Sequence, residues 1–222
     1  MLEKAELTLI IMLSKTKKVI TTPPPVLCSV ASCKLFYSTV QRVGTLSLLF
    51  VPPAEGGGME IIMIKEIDKN EIDECVNVIR ESFLTVANEF GFTVENASRF
   101  TAFATTRERL DWHLNGEHRP MYAFYDNGTI VGYYSLLLQE NNECELNNLC
   151  VLPAYRHKGI GEKLLENAFK VSKELNCTKM NIGIVEENKV LRNWYETFGF
   201  THIGTEKFDF FPFTCGYMEK EL

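Results

Sequence analysis

No run of apolar residues in this 222-residue chain reaches the roughly 18–20 that a membrane span requires. The early apolar stretch Leu7–Leu13 follows Glu3 and Glu6, and no small-residue cleavage site comes after it. A secretory leader wants a basic start, and an organellar one wants arginines without acids, so neither is expected. Paired cysteines are lacking too. The seven cysteines form no CxxC, and none stands with histidine at a zinc-ligand spacing, so no metal site is expected. Scattered, odd in number and set among apolar residues, they read as reduced, buried thiols of a cytoplasmic protein. There is no basic excess: the formal net charge is −6, which argues against a nucleic-acid partner, as the missing apolar span argues against a membrane one.

What is present divides in two. Residues 1–58 hold five of the eight prolines, end in Gly56-Gly57-Gly58, and carry a net charge of +3. The remaining residues carry −9. We expect residues 1–58 to be a poorly ordered extension or a mis-assigned start, with Met59 or Met63 as the initiator, and residues 59–222 to form one domain. Mass spectrometry of the native N-terminus tests this expectation, and an intact Met1 would overturn it. An acidic body is suited to a cationic substrate such as an amine.

From Met59 the pattern is dense. "EIIMIKEI" reads as a strand. Asp68 and Glu71 form a capping box for a helix whose apolar positions are Ile72, Cys75, Val76 and Ile79. Thr105 and Glu108 suggest a second box, opening a helix to about Leu114. Asn127-Gly128 between two β-rich runs is a strong hairpin signal. "ECELNNLCVL" is a further strand, and Gly159 to about Leu175 an amphipathic helix. "TKMNIGIV" is a strand. Asn188 caps a helix running to Phe198, stopped by Gly199. "FTHIGTEKF" and "FTCGYMEKEL" close the chain as strands. The predicted order β-α-α-β-β-β-α-β-α-β-β is a mixed-sheet α/β domain of the α+β kind.

The stretch "VLPAYRHKGIGEKLL" (Val151–Leu165) sits where a strand hands over to a helix. Free N–H groups at a helix start converge on an anion, and Gly159 and Gly161 permit close approach or positive φ. Arg156 and Lys158 add charge there. Neither the P-loop spacing nor GxGxxG is present. The stretch resembles the acyl-CoA-binding motif of the GNAT superfamily of N-acetyltransferases, Arg/Gln-x-x-Gly-x-Gly/Ala after a V-x-P strand end. Here it reads Arg156-x-x-Gly159-x-Gly161 after Val151-x-Pro153. A second segment, "NKVLRNWYETFGF", is similar to the family's Asn-x-x-Ala-x-x-x-Tyr-x-x-x-Gly-Phe through Asn188, Tyr195, Gly199 and Phe200, with Leu191 in place of Ala. The resemblance extends over about Ile61–Leu222, and the element order agrees with it.

The resemblance implies roles. Acetyl-CoA is the co-substrate. Backbone N–H groups of His157, Lys158, Gly159, Ile160, Gly161 and Glu162 hold its pyrophosphate. Main-chain groups of Leu149, Cys150 and Val151 face the pantetheine arm and thioester, on a strand that splays from its neighbour, and Arg156 and Asn188 complete the cofactor-binding set. Tyr195 is the general acid toward the departing thiolate, a role that suits a phenol neutral at pH 7. Glu145, eleven residues before Arg156, is the expected base. Strand alternation places Glu143, Glu145, Asn147, Leu149 and Val151 on one face. Cys150 then falls on the other face and reads as core rather than as a nucleophile. The acetyl group passes directly to the acceptor in a ternary complex.

The acceptor is a small-molecule or peptide amine of unspecified kind. The first helices and the closing strands, where the family builds its acceptor pocket, are rich in aromatics, including Phe92, Phe100, Phe211 and Phe213. These serve either packing or an apolar acceptor, and a homodimer through the C-terminal hairpin stays open. The alternative to an enzyme is a non-catalytic acyl-CoA-binding or regulatory module on the same fold.

Overall fold

A computed structural model describes residues 47–48 and 62–222. The expected extension over residues 1–58 lies outside the described residues apart from the short strand β1 (Ser47–Leu48). There follow β2 (Ile62–Glu66), α1 (Ile72–Phe90), α2 (Val94–Ala97), α3 (Thr101–Ala104), α4 (Arg107–Asp111), β3 (Met121–Asp126) and β4 (Thr129–Leu138). The chain continues with β5 (Glu143–Val151), α5 (Ile160–Glu174), β6 (Lys179–Val185), α6 (Lys189–Thr197), β7 (Thr201–Lys207) and β8 (Thr214–Glu221). Eight strands form one sheet in the order β1-β2-β3-β4-β5-β6-β8-β7. Every neighbouring pair is antiparallel except β5 and β6. The predicted α/β (α+β mixed-sheet) order is present, with α2 and α3 added between its first two helices.

Helices cover both faces. On one, Ile160, Leu164, Leu165 and Ala168 of α5 and Tyr195 of α6 pack on Val131, Leu146, Met180 and Ile182. On the other, Ile72, Cys75, Val76 and Ile79 of α1 pack on Met121, Ala123, Tyr133 and Cys150. The 3.6-residue spacing of the helices and the two-residue alternation of the strands produce this sandwich of layers.

Turn chemistry explains the connections. Asn127 (φ 48°) and Gly128 (φ 84°) are both left-handed, as a two-residue hairpin between twisted strands requires. Gly91 in the left-handed region ends α1. The first predicted capping box is half formed. The Glu71 carboxylate accepts from the Asp68 N–H at 2.9 Å, but the Asp68 carboxylate accepts from Asn70 N at 2.6 Å, one residue short of the boxed position. The second is displaced: Thr106, not Thr105, caps α4 by accepting from Arg109 N. Thr105 instead donates its hydroxyl to the Thr101 carbonyl, inside the preceding turn. The helix also ends sooner than Leu114 as an α-helix, because Trp112–Gly116 continues it as a π-helical turn.

Strand β5 holds the largest departure from the expected pattern. Ser135 of β4 faces Asn147, yet Tyr133 faces Cys150, so Tyr134 alone opposes two residues. Asn148 takes the extra place at φ 55°, a bulge. Simple alternation therefore fails. Glu143, Glu145 and Asn147 lie on the α1 face, whereas Leu149 and Val151 pack with the α5 core. Cys150 is on the α1 face, opposite Leu149 and Val151 as expected.

Candidate active site

The parallel partners β5 and β6 stay together for only three residue pairs, ending at Glu145 and Asn181. Beyond that point β6 follows β8 through four further pairs, from Ile182 with Met218 as far as Val185 with Cys215. Strand β5 runs on alone along that edge to Val151, so a wedge opens between two strands in the middle of the sheet. Leu149–Val151 lie on this unpaired length of β5, and the Val151 carbonyl accepts from Arg156.

The strand-to-helix loop sits at the open end of the wedge. His157 (φ 61°) and Gly159 (φ 77°) are both left-handed, which turns consecutive N–H groups toward one side. The first helical bond of α5 is Lys163 N to Gly159 O at 3.1 Å. N–H groups at Ile160, Gly161 and Glu162 have no intrahelical acceptor by geometry. No N–H from His157 to Glu162 meets another backbone carbonyl among the described residues. The two glycines serve different needs. Gly159 requires positive φ. Gly161 is not left-handed, and a Cβ there would stand 3.7 Å from the Trp194 ring, an ordinary contact. The fold itself therefore does not require a glycine at 161.

Arg156 does not extend into this loop. Its Nε donates to the Val151 carbonyl at 3.1 Å and its Nη2 to the Ser82 carbonyl of α1 at 2.9 Å. It clamps the loop to the strand end and to the helix across the sheet. Lys158 lies over the Tyr155 ring at 4.9 Å and is exposed. Arg156→Ala is expected to remove two charge-assisted bonds, costing about 2 kcal/mol and lowering Tm by roughly 4–8 °C. Thermal unfolding checks this; an unchanged Tm would show the clamp to be idle.

Asn188 accepts from Leu191 N at 3.0 Å, so its carboxamide caps α6. That cap sets the helix that carries Tyr195. The Tyr195 ring is buried between Trp194 (centroids 4.9 Å apart) and Phe200 (5.4 Å). Tyr195 belongs to the core on the α5 face, with Leu164, Ile182 and Ile184. Burial first, then Cys150, holds its ionisation well above the ordinary phenol range. The hydroxyl meets no hydrogen-bond acceptor among the described residues. Cys150 itself is buried, and desolvation pushes its thiol up to about 12, so it carries no thiolate at neutral pH.

Glu145 is half-buried where the strands part. Burial pushes its carboxyl up to about 8, with the Arg119 guanidinium pulling the other way. Gln139 donates to it at 3.3 Å. Asn181, its partner across the strand pair, donates to Glu143 at 2.9 Å. The aromatics of the first helices and the β7–β8 connection pack mainly on each other. Phe92 meets Phe213 at 4.8 Å, and Phe211 meets Phe213 at 4.5 Å. The sequence pattern did not single out Ser82, Gln139 or Arg119. Their surroundings come from distant elements, and Arg119 ahead of a β-rich run reads as an ordinary strand flank.

A model of the Acetyltransferase (GNAT) family matches residues 83–200, which takes in the wedge, the loop and α6. The chain belongs to the GNAT acetyltransferase family. An uncharacterized N-acetyltransferase of Lactobacillus delbrueckii subsp. lactis is 22% identical over 160 residues, covering 68% of this chain and 89% of that one. Among solved structures, the PaiA N-acetyltransferase of Thermoplasma acidophilum in complex with coenzyme A has a TM-score of 0.61 at 21% identity, covering 72% of this chain and 99% of that one. A putative acetyltransferase of Salmonella typhimurium with its cofactor acetyl-CoA has a TM-score of 0.56 at 20% identity, covering 72% and 94%. These likenesses establish the GNAT fold. No helix among the described residues is long and apolar enough to cross a membrane.

Proposed function

We propose that this GNAT protein transfers an acetyl group from acetyl-CoA to a primary amine by direct attack in a ternary complex. The observation that carries the reading is the parting of β5 and β6 at Glu145. In this reading the half-buried Glu145 carboxyl, the Tyr195 phenol and the N–H groups at the start of α5 all serve that wedge. The solved relatives named above hold coenzyme A or acetyl-CoA, which agrees with that cofactor here.

In this reading the N–H groups from His157 to Glu162 bind the pyrophosphate, and the main chain of Leu149–Val151 aligns the thioester. Glu145 takes a proton from the acceptor, and the amine nitrogen attacks the acetyl carbon. The C–S bond then breaks and Tyr195 gives its proton to the thiolate. The products are the N-acetylated amine and free coenzyme A, and solvent resets both side chains. Positioning and polarisation of the carbonyl supply most of the rate gain.

Acetyl-CoA at a hundredfold over its Kd is expected to stabilise the fold by about 2.7 kcal/mol, raising Tm by roughly 5–10 °C. Gly161→Ala is expected to keep or slightly raise the unliganded Tm, since alanine favours helix, yet to weaken acetyl-CoA binding at least about tenfold. Calorimetric titration measures it, and unimpaired binding would remove the loop from the site. Free-thiol release across a panel of amines tests transfer itself: no release in the presence of bound acetyl-CoA would make the protein a binder and not an enzyme.

A further inference from the structure

Arg119 lies two residues before β3. The Leu136 N–H donates to the Pro120 carbonyl at 2.9 Å, which sets residue 119 opposite residue 137. Leu137 in turn faces Glu145 on β5. Arg119, Leu137 and Glu145 thus form one lateral row on the α1 face, with Ser135 and Tyr133 in the next two rows of β4.

The Arg119 side chain is 5% exposed and its Nε donates to the Glu117 carboxylate at 2.5 Å. Its Nη1 is fully buried and has no hydrogen-bond partner among the described residues. The same holds for the Ser135 and Tyr133 hydroxyls. These two adjoin each other without reaching hydrogen-bond geometry. Native interiors rarely leave such groups unmatched, least of all several side by side.

Positive charge is concentrated around the same row. Arg109 is half-buried beside Arg119, and Glu117 is the carboxylate set against both. His113 supplies no charge, because burial and then the two arginines push its imidazole down to about 3. The buried Nη1 of Arg119 is left without an acceptor, which is costly in a desolvated setting. A single negative charge in planar form matches the guanidinium fork, and this is a carboxylate rather than a doubly charged phosphate. The segment that carries Arg119 is strained, with the π-helical turn Trp112–Gly116 followed by left-handed His118 (φ 53°). Such features cluster at ligand clamps and switch regions.

We propose that the acceptor is an amino acid, an amine that also carries a carboxylate, and that Arg119 binds this carboxylate while the amine lies at Glu145. The proposal rests on the transfer reaction above. A zwitterion so placed gives the Arg119 Nη1 its acceptor, and its ammonium stands beside Glu145, whose ionised form takes the proton. The closed Nη1 requires the Glu117–Arg119 segment to shift as the acceptor enters.

The test uses the full chain, acetyl-CoA and matched pairs of amino acid and decarboxylated amine: phenylalanine with 2-phenylethylamine, leucine with 3-methylbutylamine, and the same for tyrosine and tryptophan. Thiol release is expected to give a kcat/KM about 100-fold or more higher for the acid of the preferred pair. Arg119→Gln is expected to abolish that preference, and Arg119→Lys to retain part of it. Equal or better turnover of the decarboxylated amines overturns the carboxylate site and leaves the transferase reading standing. If neither member of any pair is turned over, the N-acetylated compounds are added with coenzyme A in a thermal-shift series. Stabilisation by the N-acetyl acids alone, absent in Arg119→Gln, supports the carboxylate site although transfer has failed. No stabilisation by either class overturns it.

Discussion

Tyr195→Phe is expected to lower kcat by about 10²–10⁴-fold while the affinity for acetyl-CoA and the fold are kept. The variant removes one oxygen from a ring held between Trp194 and Phe200, so the packing that positions α6 survives. The hydroxyl meets no hydrogen-bond acceptor among the described residues, so its removal breaks no hydrogen bond of the fold. An unchanged or higher Tm with a collapsed kcat separates a chemical role from a structural one. The raised ionisation of Tyr195 points the same way, since it keeps the phenol protonated across the working pH range. The thiolate then meets a donor at the moment the C–S bond breaks. Single-turnover acetyl transfer measures the step directly. A Phe variant that turns over a confirmed acceptor at the wild-type rate would falsify the assignment.

Glu145→Gln is expected to cost about 10²–10⁴-fold in kcat/KM at pH 8 and to change the shape of the pH profile. A base must be ionised. Wild-type activity therefore rises with pH through the carboxyl's raised value of about 8 and levels above it. The Gln variant loses that ascending limb and keeps only the one set by the acceptor's own ammonium. Stability moves oppositely. The unfolded carboxyl releases its proton near the ordinary value of 4.5, and the folded one holds it to about 8. Between these values the native state binds more protons than the unfolded state, so stability falls as pH rises through the window. Glutamine has no proton to lose, so Glu145→Gln is expected to be less pH-sensitive and more stable than the wild type above pH 8. Thermal unfolding from pH 5 to 9 checks it. Loss of activity together with loss of stability at high pH would mean that Glu145 is a structural carboxyl.

The two residues are positioned by different routes, and this difference marks what could be read in advance. Tyr195 belongs to a local pattern: an Asn cap, a helical spacing and a terminating glycine, all within a dozen residues. Glu145 was placed by strand alternation, and alternation gave the wrong companions. It lies with Asn147 and Cys150 on the α1 face and not with Leu149 and Val151, because Asn148 takes an extra position in β5. A bulge arises from the pairing of two strands. One strand read alone carries little sign of it, since asparagine at positive φ is common in turns as well.

Arg156 shows the same limit. Its charge beside two glycines reads as part of an anion cradle, yet its guanidinium is occupied by the Val151 and Ser82 carbonyls, the latter on α1, far away in sequence. The loop around it keeps its expected form, because left-handed His157 and Gly159 and the helix start are local.

By itself the sequence determined the element order, the Asn127-Gly128 hairpin, the N–H run at the start of α5 and the helix that bears Tyr195. Each depends on backbone preferences and caps acting over a few residues. Only the tertiary structure decided which face Glu145 occupies, how far its carboxyl is desolvated, what Arg156 holds, and that Arg119 stands in the row of Glu145 with an unmatched nitrogen. Burial, register and charge balance belong to segments brought together from across the chain, and no window of the sequence contains them.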